Sequence, residues 1–412
     1  MLWSNIITTS VVLAGVPSAL GYPGMGEQMA EIMRRQGEND EFDSTELIGD
    51  LVTLPDSKLT PTAADIKKIL TGQGNPESTV SWSAPKLGSA ACQKDTCCVW
   101  QYIVNDMVAD FRGKSGRCTS WARKSVRLGF HDAGTWSKTT AAQGLPGGAD
   151  GSLCSTDEIN RPDNNGLQDI CQKVNGWYDS WNKKGYPVTR ADIIQMAATV
   201  ATVAPRVKSY VGRVDVAKAG PPNLLPGVDQ SADDLIALFR DKTIGPHSLT
   251  ALVGAHTTSQ QFFVNTSRAG DPQDSTPGVW DTLGTKSTPP RVFKFNSDIA
   301  LSKHPQTAPE WQKFASAGGQ QDWNEDFAAG YIRLSLLGVN NINSLTECTK
   351  VLPGRTGGFT PNDQSNVDKW LNTADQSATA KKISNALHGG ESLLGWIFSL
   401  IGGILGGLKK ST

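Results

Sequence analysis

Arg127 and His131 are the residues whose types and spacing most directly suggest chemistry. They stand four apart in Arg127-Leu128-Gly129-Phe130-His131-Asp132-Ala133, so on a helix they share one face and reach into one cavity. An arginine keeps its charge at physiological pH, and a neutral imidazole takes up and returns a proton. Such a pair can deprotonate a small substrate and stabilise the negative charge that develops beside it. The bland alternative is a solvated Arg/His pair on a surface helix, and a short motif alone does not decide between them.

Four other histidines are present: His247, His256, His304 and His388. His256 lies in the apolar run Leu249–Thr257, whose pattern predicts a helix that buries the imidazole. Most buried histidines are satisfied core residues. The chemical alternative is a ligand whose second nitrogen donates to a carboxylate, an arrangement that also holds haem iron from one side. Two oxygen-rich, glycine-bent loops strengthen that alternative. Gly147-Gly148-Ala149-Asp150-Gly151-Ser152 follows Asp132, and Asp274-Ser275-Thr276-Pro277-Gly278-Val279-Trp280-Asp281 follows Thr257. Singly such loops are ordinary turns. Here each pairs with a residue adjacent to one of the two notable histidines, and carboxylates, hydroxyls and carbonyls together suit calcium.

The elements that must position these residues are mainly helices. Trp100, Ile103, Val104, Met107 and Phe111 recur at helical spacing, as do Ile193, Ile194, Ala197, Ala201 and Ala204. Thr60-Pro61 begins a capped short helix with Ile66, Ile69 and Leu70 on one face. Alternation of strand type is scarce, so the class is mostly α with little β. With 412 residues, a net charge of -1 and no basic run, the chain has a real core and no feature that favours nucleic acid. No HExxH pair is present, which removes the metallohydrolase reading.

The chain divides into residues 1–21, read as a signal peptide; 22–90, an amino-terminal extension; 91–350, the main domain; 351–390, a polar carboxy-terminal extension; and 391–412, an apolar tail. The run Leu393–Leu408 is too short to span a bilayer, and its small residues and the following Lys409 and Lys410 suggest an interfacial helix. Seven cysteines and the sequon Asn265-Thr266-Ser267 fit secretion, extracellular or at the cell surface; an odd count leaves one thiol free or paired between molecules.

Several motifs in order carry a family resemblance over residues 91 to 350. They are Cys92…Cys97-Cys98, the heptad at 127–133, the loop 147–152, Asn164-Asn165-Gly166-Leu167, Gly212-Arg213-Val214-Asp215, Leu252–Thr257, the loop 274–281 and Phe295-Asn296-Ser297-Asp298. The chain resembles the secreted fungal (class II) haem peroxidases, in an ascomycete-like form. That resemblance implies two helical halves sandwiching haem b, with two structural calcium sites. It implies that His131 is the distal acid-base catalyst, that Arg127 stabilises the departing oxygen, and that Phe130 packs over the haem. Asn164 would orient His131, with Glu158 behind it. His256 would be the iron ligand and Asp298 its partner. One calcium would take Asp132, Gly148, Asp150 and Ser152; the other would take Thr257, Asp274, Thr276, the Val279 carbonyl and Asp281. Cys92 would pair with Cys98 and Cys97 with Cys348, leaving one pair expected among Cys118, Cys154 and Cys171.

Departures from the family are informative. Ala251 stands where ligninolytic relatives carry a surface tryptophan, and Ser120, Lys124 and Phe262 replace the acidic residues of manganese oxidisers. The resemblance therefore implies an extracellular enzyme that reduces hydrogen peroxide and oxidises small phenolic or aromatic donors by one-electron steps. A monomer is expected, and membrane-surface contact through the tail stays open. The alternative is a non-catalytic surface protein stabilised by haem and calcium, with the extension and tail mediating attachment.

Overall fold

The computed structural model describes residues 43–202, 204–282, 288–355, 359–373 and 377–394. The expected signal segment and residues 395–408 of the tail lie outside these. No helix among the described residues is long and apolar enough to cross a membrane.

The helices that build the site are α1 (Pro61–Leu70), α2 (Cys97–Phe111), α3 (Ser120–Ala133), α4 (Gln168–Lys183), α5 (Arg190–Ala201), α6 (Ala232–Arg240), α7 (Pro246–Val253), α8 (Asn296–Leu301), α9 (Ala308–Phe314), α10 (Gly319–Leu334), α11 (Gln364–Leu371) and α12 (Ala378–His388). Strand structure is slight: β1 (Tyr210–Val211) pairs antiparallel with β2 (Thr346–Glu347). The mostly helical reading holds.

Two apolar cores organise the chain. One joins Trp100, Ile103, Val104, Met107 and Phe111 of α2 to Leu128 of α3, Ile170 and Val174 of α4, and Ile193, Ile194 and Ala197 of α5. The other joins Leu235 and Phe239 of α6, Leu249 and Ala251 of α7, and Trp323, Phe327 and Tyr331 of α10. Ala204 falls outside the pattern predicted for it, because α5 stops at Ala201. Residues 43–90, read from sequence as an extension, are packed: Ile48, Leu51, Ile66, Ile69 and Leu70 enter the second core. Thr60 caps α1 by accepting from the Ala63 amide at 3.2 Å.

Gly129 explains how α3 sits so deep. A Cβ there would lie 2.2 Å from the Tyr331 hydroxyl and 2.8 Å from Ala198 Cβ, so only glycine lets α3 close on α5 and α10. Disulfides join Cys92 to Cys98, Cys97 to Cys348 and Cys154 to Cys171, and Cys118 is a free thiol. The Cys97–Cys348 bridge spans 251 residues and so ties the start of α2 to the end of the main domain.

The stretch after Cys348, polar and turn-rich by sequence, carries α11 and α12. Val367, Trp370 and Leu371 of α11 meet Ile383 and Leu387 of α12, with Val292 and Leu393, in a third small core. The docking is electrostatic as well as apolar. Arg117 and Asp363 form a fully buried ion pair at 2.6 Å, and the Leu393 amide donates to the other Asp363 oxygen at 2.6 Å. Removing one partner of such a pair strands a buried charge. Arg117→Met is expected to lower unfolding free energy by about 3–5 kcal/mol in urea melts. The double variant Arg117→Met/Asp363→Asn should recover part of that loss.

Candidate active site

Helix α3 presents Arg127 and His131 on one face and closes at Gly134, whose amide donates to the Phe130 carbonyl at 2.7 Å. The Arg127 Nε–H donates to His131 Nε2 at 3.2 Å, and His131 Nδ1 lies 2.8 Å from Asn164 Oδ1. These partners define the tautomer: Nδ1 carries the proton toward Asn164, and the Nε2 lone pair faces Arg127. Burial, reinforced by the Arg127 charge, pushes the His131 pKa down to about 3, against the opposing pull of Asn164. His131 is therefore neutral at physiological pH. Burial also lowers Arg127, to about 10, which leaves it charged.

Asn164 ends a 3-10 turn, Pro162–Asn164, and donates through Nδ2 to the main-chain carbonyl of Glu158 at 2.8 Å. Glu158 thus stands behind Asn164 by its backbone. Its carboxylate turns elsewhere, accepting from the Gly220 amide at 2.7 Å and the Ser152 hydroxyl at 3.3 Å. The same 3-10 turn and its exit receive Arg127, which donates to the Asp163 and Asn165 carbonyls at 2.9 and 2.8 Å. Phe130 stacks on Phe239 at 6.0 Å and meets His131 edge-on at 5.6 Å.

His256 departs from the expectation of a buried helical residue. α7 ends at Val253, and the chain continues as a 3-10 turn, Gly254–Thr258, which carries His256. Its side chain is 42% accessible. Nδ1 lies 3.1 and 3.2 Å from the two oxygens of Asp298, at the start of α8, so Nε2 is the ring's outward edge. Phe295 braces the ring edge-on at 5.4 Å. Burial of the surroundings works against a charged ring, but Asp298 outweighs it and raises the pKa, while Arg127 is close enough for its charge to oppose that rise.

Both oxygen-rich loops close around buried carboxylates. Asp132 is 0% exposed and accepts from the Gly151 and Leu153 amides at 3.1 and 3.3 Å. Asp150 accepts from the Ser152 amide at 2.9 Å and donates its own amide to the Gly148 carbonyl at 2.8 Å. Gly148 has φ +118°, and a Cβ there would lie 2.2 Å from the Leu337 carbonyl oxygen. Burial, then Asp150, raises Asp132 well above the ordinary carboxylate range, and burial raises Asp150 to about 6. In the second loop the Thr276 hydroxyl lies 3.2 Å from Asp274 and 2.8 Å from Asp281, and the Val279 amide donates to the Thr276 carbonyl at 3.0 Å. Burial raises Asp274 and pushes Asp281 up to about 7. The Thr257 hydroxyl is buried with no hydrogen-bond partner.

The departures also have structural settings. Ala251 is buried, and its carbonyl accepts the Trp323 indole N–H at 2.8 Å. Lys124 is paired with Asp169, and Phe262 meets the His388 ring at 4.9 Å. One cluster escaped sequence reading. His247, at the start of α7, has Nε2 3.1 Å from Asp326 of α10 and Nδ1 3.7 Å from Glu310 of α9. Among the described residues this is the place where three potential metal-ligating side chains gather. Each ring nitrogen faces a different carboxylate, however, which clamps an imidazolium between helices. Burial disfavours its charge, but Asp326 prevails and raises the pKa to about 9. No sequence spacing pointed to it, since its partners come from separate helices.

The peroxidase family model matches residues 104–317. A peroxidase of Arthromyces ramosus is 29% identical over 65% of this chain and 78% of its own length. Manganese peroxidase 3 of Phlebia radiata is 30% identical over 62% of this chain and 76% of its own. Ligninase C of Trametes versicolor is 31% identical over 62% of this chain and 75% of its own. A matched family region that contains Arg127, His131 and His256, with relatives aligned over most of their length, assigns the chain: it belongs to the fungal class II haem peroxidases, haem-dependent oxidoreductases that act on peroxide.

Proposed function

We propose that Arg127, His131 and Asn164 form the peroxide-activating side of the pocket and that His256 with Asp298 forms the haem-anchoring side. The observation that carries this reading is the opposed pair of histidine settings: His131 held neutral with its Nε2 lone pair beside Arg127, and His256 held with Nδ1 against a carboxylate. The donor set fits haem b. His256 offers an outward Nε2, Asp298 raises its basicity, and Phe130 supplies an apolar ring near the cleft. When bound, haem b would be held by His256 and would supply the redox chemistry that reduces peroxide.

The residues of the chain handle the protons and the charge. His131 Nε2 takes the proton from one peroxide oxygen, and Nδ1–H stays with Asn164, so the ring keeps its orientation. The same proton then passes to the other oxygen, which leaves as water. Arg127, charged and beside Nε2, stabilises the negative charge that develops on the departing oxygen. Small phenolic or aromatic molecules restore the enzyme by single electrons. The buried Ala251, the Lys124–Asp169 pair and the Phe262–His388 contact favour such donors over manganese or bulky lignin. We assign the enzyme to the extracellular space as a monomer. Contact of the tail with a membrane surface belongs to the same reading.

The two loops fit calcium on their own chemistry. Asp132 and Asp150, buried near each other, call for a cation; in the second loop Asp274, Thr276 and Asp281 gather their oxygens, and the buried Thr257 hydroxyl is an unspent oxygen that would join them. Each ion would tie a histidine-bearing segment to a loop.

Four tests follow from these settings. Purified protein supplied with haem should give a Soret band that shifts with peroxide, and absence of haem binding would refute the role of His256. His131→Leu should retain haem yet slow the peroxide reaction by roughly 10²–10⁴-fold in stopped flow. In the native enzyme that rate should stay level from neutral pH down toward the His131 pKa of about 3 and fall below it, as the base becomes protonated. Calcium removal has a defined sign. Without the ion, folded Asp150 (about 6) and Asp281 (about 7) hold protons that the unfolded chain, with carboxylates near 3.8, has released. Stability in EGTA should therefore fall as pH rises from about 4 to 7, by on the order of 3 kcal/mol per loop. Melting temperatures in calcium should show no such fall.

A further inference from the structure

Arg123 extends the stripe of α3 that carries Arg127 and His131. The three residues stand at successive spacings of four, so they lie along one helix face. Arg123 is buried, and its guanidinium is spread between two main-chain carbonyls from distant parts of the chain. One is Thr258, two residues past His256, at 3.3 Å; the other is His388, the last residue of α12, at 2.9 Å. Its second terminal nitrogen also lies 3.4 Å from His388 Nδ1.

The surroundings make this contact a junction. The Thr258 carbonyl accepts from the Gly278 amide at 3.0 Å, and the Gly278 carbonyl accepts from the Cys118 amide at 2.8 Å, just before α3. Gln364 of α11 donates to the Ser275 carbonyl at 3.0 Å. The foot of α3, the segment of His256, the loop 274–281 and the carboxy-terminal helices thus meet around one planar cation. A guanidinium suits that place because its fixed fork reaches two carbonyls at once.

We propose that Arg123 is a positioning residue of the pocket: it sets the separation between the Arg127–His131 face and His256, and through the His388 carbonyl it makes the carboxy-terminal helices part of that setting. This rests on the reading of the pocket given above. The distance between two opposed side chains is where small shifts are costly, since a displacement of ~1 Å can cost roughly 10²-fold in rate.

The test uses the full chain reconstituted with haem, comparing Arg123→Met and Arg123→Lys with the native protein. Arg123→Met should alter the spin-state bands of the haem spectrum, speed transfer of haem to an apo-acceptor protein, and slow the peroxide reaction by roughly 10²-fold. Lysine, a point charge that reaches one carbonyl, should give shifts of the same sign but smaller. A folded Arg123→Met protein with a lower melting temperature but native spin state, haem transfer and rate would overturn the proposal. If Arg123→Met does not fold, Arg123→Lys decides by the same three readouts. A native protein that takes up no haem would instead sink the pocket reading itself.

Discussion

One turn of α3 has to satisfy two opposite electrostatic demands, and much of the structure is arranged around it. His131 faces the cleft, where burial and Arg127 keep it neutral. Asp132, the next residue, faces away from it into full burial beside Asp150. Successive helical residues point about 100° apart, so a single turn can serve both sides. The first side needs a free lone pair held in one tautomer. The second needs amides, and a cation, to compensate a carboxylate that water cannot reach.

The same logic recurs across the cleft with other parts. His256 sits in a 3-10 turn instead of the helix its sequence predicts, and Asp298 holds its Nδ1. Thr257, adjacent to it, keeps its hydroxyl buried without a hydrogen-bond partner among the described residues. Each histidine thus has a neighbour that commits its own segment to an oxygen-rich loop.

Holding the two sides together falls to contacts made between distant parts of the chain. Gly129 lets α3 lie against α5 and α10 without a side chain between them. The Cys97–Cys348 bridge closes the main domain, and the Arg117–Asp363 pair seats the carboxy-terminal helices at the foot of α3. His247 clamps α7, the helix leading to His256, against α9 and α10. These links differ chemically, yet all restrain the helices that end at the cleft.

How much of this was legible beforehand varied with the range of the interaction. Helical spacing identified α2, α5 and the cap of α1, because those patterns are local and a buried stripe must repeat with the helix. Arg127, His131, His256 and the two loops stood out as candidates by residue type and spacing, whereas Asp298 was named only through the family resemblance. By contrast, α11 and α12 were hidden in a polar stretch, since their short apolar stripes gain stability only by packing on each other and on Val292. The Cys154–Cys171 pairing, the backbone route from Glu158 to Asn164 and the clamp at His247 depend on atoms brought together from separate elements. The sequence by itself determined which groups could carry protons, charge and metal, because that is a property of side-chain type. Only the tertiary structure decided their tautomers, their burial and the face each presents, because these are set by neighbours the chain meets after it folds.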